Sequence, residues 1–122
     1  MLLSFQGILF AQQTAQPIIN TFFNTYHTNP EKAIRDLYST NSWMQYAQKE
    51  IDNVVITVNG LKKELVGDYL GKEFVNSESL AKCFSTYTYL VKYERQPVKF
   101  VFTFYKPQDR WVLYAFSLSD DF

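Results

Sequence analysis

A chain of 122 residues is one domain's worth, and its 47% hydrophobic and 20% charged residues allow a single globular core. Twelve basic and twelve acidic residues cancel without any block of like charge, which argues against nucleic acid or an anionic membrane surface as partner. A single cysteine, Cys83, rules out an intrachain disulfide or a thiolate metal cluster, and the 18% aromatic share favours strands around a filled core.

The first eleven residues, MLLSFQGILFA, form an apolar run too short to span a bilayer, and Ala11 precedes the polar QQTAQ. Residues 1–11 read as the remnant of a secretory signal peptide cleaved before Gln12, which makes the protein secreted or periplasmic. No Lys or Arg lies in this segment, and Gln6 and Gly7 interrupt it, so a packed N-terminal strand or helix is the other reading.

From Gln12 the period is helical. Ile18, Ile19, Phe22, Phe23 and Tyr26 fall on one stripe, with Pro17 suited to the first turn. TNP, residues 28–30, breaks this helix and starts another, with Asn29 as cap, Pro30 at the first helical position and Glu31 against the dipole. Ala33, Ile34, Leu37 and Tyr38 are its apolar stripe, and STNS ends it. A third helix is predicted over 49–66, because Ile51, Val54, Val55, Val58, Leu61 and Leu65 keep a helical step for four turns. Its internal Gly60 costs it about 1 kcal/mol against Ala, and Gly67 stops it.

Strands follow. Residues 69–76 read as a short strand interrupted by Gly71, with a turn at 76–79. Residues 81–94 alternate, so that Cys83, Ser85, Tyr87, Tyr89, Val91 and Tyr93 share a face opposite Phe84, Thr86, Thr88 and Leu90. Arg95, Gln96 and Pro97 lead to a strand over 98–106, a turn at 107–110, and a last strand over 111–119. Three helices followed by an antiparallel meander of about four strands is an α+β layer, with the helices packed on the concave face of a curved sheet. The opposite sheet face also carries apolar residues, and a second copy related by two-fold symmetry is its simplest cover.

The element order, LVGDYLGKEFV at the helix-to-sheet transition, YERQPVKF and FYKPQDRW together resemble the NTF2-like family, the cystatin-related α+β cone, and above all its small exported members from Bacteroidota. The resemblance runs from about Thr14 to Phe122, so residues 12–122 would be one NTF2-like domain. It implies a conical domain with a pocket between helices and sheet, and homodimers through the sheet face. It does not imply one activity, since fold alone is weak evidence of function.

The chemistry-bearing residues are sparse. His27, the one histidine, reads as a helix C-terminal residue facing free carbonyls rather than a general base. Asp68, Glu73, Glu94 and Asp109 lie at strand ends or in turns, where no burial would raise a carboxylate's pKa for isomerase-type chemistry. Cys83 reads as a buried thiol. No catalytic residue, metal or cofactor is expected. Tyr26, Trp43, Tyr46, Tyr69, Tyr87, Tyr89, Arg95 and Tyr114 are the candidate pocket residues, with Trp43, Met44 and Tyr46 as an aromatic rim at the cone's open end. The predicted function is a non-catalytic small-ligand-binding or scaffold domain for an apolar or amphipathic molecule. An isomerase or dehydratase of the same fold and a protein-interaction module of envelope or immunity type are the alternatives.

Overall fold

The computed structural model describes residues 14–122, so the reading of residues 1–11 as a signal peptide lies outside the described residues. Helix α1 spans Gln16–Tyr26 and buries Ile19, Phe22, Phe23 and Tyr26, one face of a 3.6-residue period. Helix α2 spans Pro30–Ser39, and the Asn29 side chain accepts a hydrogen bond from the Lys32 backbone N–H at 3.1 Å, as its capping role requires. A 3-10 turn, Ser42–Tyr46, leads to α3 at Gln48–Asn59.

The single helix expected over 49–66 is two. The Gly60 N–H bonds back to Ile56 and Thr57, Leu61 to Val58, and Lys62 is extended, so α3 ends and a one-turn helix α4 restarts at Lys63–Val66. Glycine is the weakest point of the long stripe, and the break has a packing consequence. It rotates Val66 into the core and leaves Leu65 54% exposed.

The sheet is an open antiparallel meander of strands β1 (Tyr69–Ser79), β2 (Phe84–Tyr93), β3 (Pro97–Tyr105) and β4 (Val112–Ser119), in chain order. The helices cover one face, as predicted. Along that inner face Tyr89 is opposite Phe100, Tyr87 opposite Phe102, and Phe102 opposite Phe116. Phe22 of α1 meets Phe102 edge-on at 5.1 Å between ring centres, and Phe23 meets Tyr89 at 5.2 Å. The outer face carries Thr86, Thr88, Val101 and Thr103, half-buried by their β-branched neighbours.

Two sheet details depart from simple alternation. Strand β1 is longer than 69–76: Asn76 pairs with Thr88 and Ser79 with Ser85, and the turn falls instead at residues 80–83, closed by the Leu80 N–H on the Phe84 carbonyl. Its register slips at Leu70 and Val75, two bulges on an edge strand, where bulges discourage strand-to-strand aggregation. In β4 the register slips between Thr103 and Phe104, leaving Tyr114 as the extra residue. That bulge is why Leu113 and Phe116, of opposite parity, both point inward.

Gly67 joins the two halves. Its φ of +83° and ψ of −166° belong to a region that only glycine enters readily. A Cβ there would sit 2.6 Å from the Glu94 Cβ. The neighbouring backbone is stitched across the same junction: Arg95 N–H donates to the Val66 carbonyl, Glu94 N–H to the Asp68 carbonyl, and Asp68 N–H to Glu94 Oε1 at 2.7 Å. We expect Gly67→Ala to lower unfolding free energy by about 3 kcal/mol in urea melts. Gly60→Ala, at an ordinary helical φ of −73°, should change it by less than about 1 kcal/mol.

Candidate functional site

The helical layer presents two grooves, one on each side of α2. The first, of about 310 Å³, lies between α1 and α2, with Ile18, Phe22, Ala33 and Leu37 as an apolar floor. Thr21, Thr25, Thr40 and Asp36 form its polar rim. The second, of about 400 Å³, lies between α2 and the start of α3, against Tyr38, Met44 and Ile51. On the ridge, Arg35 bridges Glu31 at 3.1 Å and Asp52 at 3.0 Å, which ties α2 to α3 across the surface.

Beside the second groove, Trp43 and Tyr46 stand 77% and 78% exposed, with ring centres 6.4 Å apart. Their turn is pinned. Asn41 Nδ2 donates to the Leu113 carbonyl at 2.8 Å, its Oδ1 accepts from Trp43 N–H, and Leu113 N–H donates to Thr40 Oγ1. A rigid turn that holds two large rings in solvent has the composition of an interface anchor.

The eight pocket candidates therefore do not converge on one site. Tyr26 is 2% exposed and its hydroxyl lies 2.6 Å from that of Tyr93, in the core beneath a small cleft that Tyr69 also lines. Tyr89 is buried too, and its hydroxyl accepts from Gln16 Nε2 at 3.0 Å. Tyr87 lines a separate polar groove with Ser79, Ser85 and Trp111. The buried Trp111 indole N–H has no acceptor among the described residues, and the Lys106 ammonium lies over its ring at 5.2 Å. Tyr114 is on the outer face against Phe84. The Arg95 guanidinium donates to the Leu65 carbonyl at 2.9 Å. Of that turn Met44 packs toward the core, while the Trp43 and Tyr46 rings stand in solvent. Cys83 is half-buried rather than buried. Residues that sequence reasoning missed are Thr21, Thr25 and Thr40, whose hydroxyls rim the first groove on the outward side of apolar stripes, a position that reads as mere solvent exposure.

His27 ends α1 in an exposed position, 5.8 Å from the Tyr69 ring. Among the described residues no cluster of His, Cys, Asp or Glu could hold a metal ion, and no helix is long and apolar enough to cross a membrane.

Burial raises the phenol pKa values of Tyr26, Tyr69 and Tyr93, with a smaller contribution from the neighbouring phenols for Tyr26 and Tyr69. Below the ordinary tyrosine value of 10.0 both folded and unfolded chains hold these protons, so the stability they allow is fully present. Above it the unfolded chain ionises first, and stability falls with rising pH. Alkaline titration followed at once by tyrosinate absorbance and circular dichroism should show these phenols ionising only as the chain unfolds, and Tyr26→Phe should flatten that fall.

The comparisons with known proteins bear on family. Among curated proteins and among solved structures none is similar to this chain. The family model of the Sec7 domain matches residues 15–101, which include the four described helices, β1, β2 and the first half of β3. This overturns the resemblance to the NTF2-like, cystatin-related family and the ligand-binding scaffold role drawn from it. The motifs that carried the resemblance sit at a helix-to-sheet junction and two sheet turns, which many α+β chains share. By that match, over more than half its length, the chain belongs to the Sec7 domain family.

Proposed function

We propose that this chain works by docking on another protein, with a small GTPase of the Arf class as the partner, in the manner of a nucleotide-exchange factor. The family match brings the GTPase, and the groove between α1 and α2 is the observation that carries the docking. Its floor is apolar, its rim is three hydroxyls and one carboxylate, and its walls are two helices fixed to the sheet. Nucleotide exchange is driven by contact between proteins and needs no covalent step on this chain.

The energetics set what else is needed. One apolar side chain buried in the groove contributes about 1.5–3 kcal/mol, which alone holds no complex together. Trp43 and Tyr46, on the far side of α2, add the ring area typical of anchors. Both features lie within the matched residues.

The test is release of a fluorescent guanosine diphosphate from an Arf-class GTPase, with binding measured in parallel by calorimetry. The unmodified chain should accelerate release. Thr21→Trp, at an exposed rim position, should fill the groove and weaken the effect about tenfold with the circular dichroism unchanged, and Trp43→Ala should weaken it as well. Neither acceleration nor binding by the unmodified chain would sink the proposal. Full activity in Thr21→Trp would show that the groove is not the contact.

A further inference from the structure

The cleft at the junction of α1, α4 and β1 has a floor that does not balance its own hydrogen bonds. Tyr26 and Tyr93 are 2% and 9% exposed, and both rings line the cleft. Their two hydroxyls carry two hydrogens, and one makes the 2.6 Å bond between them. The ring that accepts that bond keeps its own hydrogen, and neither hydroxyl has another partner among the described residues. A buried phenol left without an acceptor costs about 1–3 kcal/mol, and an oxygen arriving through the cleft relieves it. The donor already takes part in one hydrogen bond, which strengthens the next.

The rest of the cleft defines that oxygen's carrier. The volume is about 180 Å³, room for about six waters at ~30 Å³ each. Val58 and Leu61 form an apolar wall, and the Tyr69 ring faces it. At the mouth Lys63 and Asp68 pair at 3.3 Å, so their charges cancel. The floor is uncharged as well, because burial keeps the phenols protonated. The floor therefore offers a charged ligand no opposite charge, and at the mouth the His27 imidazole stands with the Lys63–Asp68 pair.

We infer that this cleft binds a small neutral molecule bearing a carbonyl oxygen, an amide, ketone or ester on an apolar or aromatic body, with the oxygen accepting the free phenol hydrogen of the Tyr26–Tyr93 pair. The site is separate from the grooves flanking α2 and stands whether or not those dock a GTPase.

Benzamide is the probe, with toluene as a ring of similar size that lacks the acceptor. In titrations of the nitrogen-15-labelled chain, benzamide should shift the backbone signals of Gly67 and Asp68. The double variant Tyr26→Phe/Tyr93→Phe, which removes both hydroxyls, should weaken it about fivefold, the loss of one neutral hydrogen bond, and toluene should bind more weakly by at least that factor. Leu61→Trp, half-buried at the wall, should abolish the shifts while both hydroxyls remain. The inference fails if benzamide leaves these signals unmoved, which means the cleft holds water only. It fails equally if toluene binds as tightly, or if the double variant binds benzamide unchanged. Should the double variant not fold, the toluene comparison and Leu61→Trp decide the matter alone.

Discussion

Everything in this molecule depends on how the Phe22–Phe23 pair of α1 meets the phenylalanines of β3. Phe22 lies 5.1 Å from Phe102 and 5.8 Å from Phe116, and Phe23 lies 5.8 Å from Phe102 on the other side. Burying each such ring contributes about 1.5–3 kcal/mol, with more from edge-to-face geometry. Tyr26, one turn on, adds a further contact of α1 with the sheet, its ring 5.5 Å from that of Phe100. α2 packs on α1 and α3 on α2, so the positions of both surface grooves follow from where this cluster seats α1. Lys72 extends the same packing at the sheet edge, its ammonium 5.4 Å over the Phe23 ring.

The fold was legible where a pattern is local. Alternation in VKFVFTF assigns Val98, Phe100, Phe102 and Phe104 to one face, and all four are buried. The Asn29–Pro30 cap and the Pro17 start are chemical signals read from three or four residues. What the sequence hid is what depends on register. Tyr114 reads as the next member of an alternating strand, and only its opposition to β3 makes it a bulge. Asn76, Ser77, Glu78 and Ser79 have turn chemistry, yet pairing with β2 outweighs it, including a 3.0 Å contact between the Ser79 and Ser85 hydroxyls. Gly60 was weighed as a cost within a helix, whereas the chain uses it as an end.

The candidate site was less legible, for a physical reason. Eight residues were selected because aromatic and guanidinium groups line pockets, but the same groups build cores and junctions. Tyr89 fills the space between α1 and β2, and Arg95 satisfies a carbonyl left over where α4 stops. Residue type alone cannot separate these duties. Trp43 and Tyr46 show the converse. Their exposure comes from Asn41, a short polar residue that joins the turn to β4 through two hydrogen bonds.

The family match and the folding unit have different boundaries, and the difference constrains how the protein can act. Residues 15–101 end in the middle of β3, which leaves Phe102, Phe104, Leu113 and Phe116 outside the matched span. These are the residues against which Phe22 and Tyr87 pack. A chain cut at the match would expose the α1 face that the sheet now covers, and the groove walls would lose their seat. Asn41 and Thr40 would also lose Leu113, and with it the pinning of the aromatic turn. The grooves of the helical layer keep their walls only because β4, which the family model does not reach, holds that layer from behind.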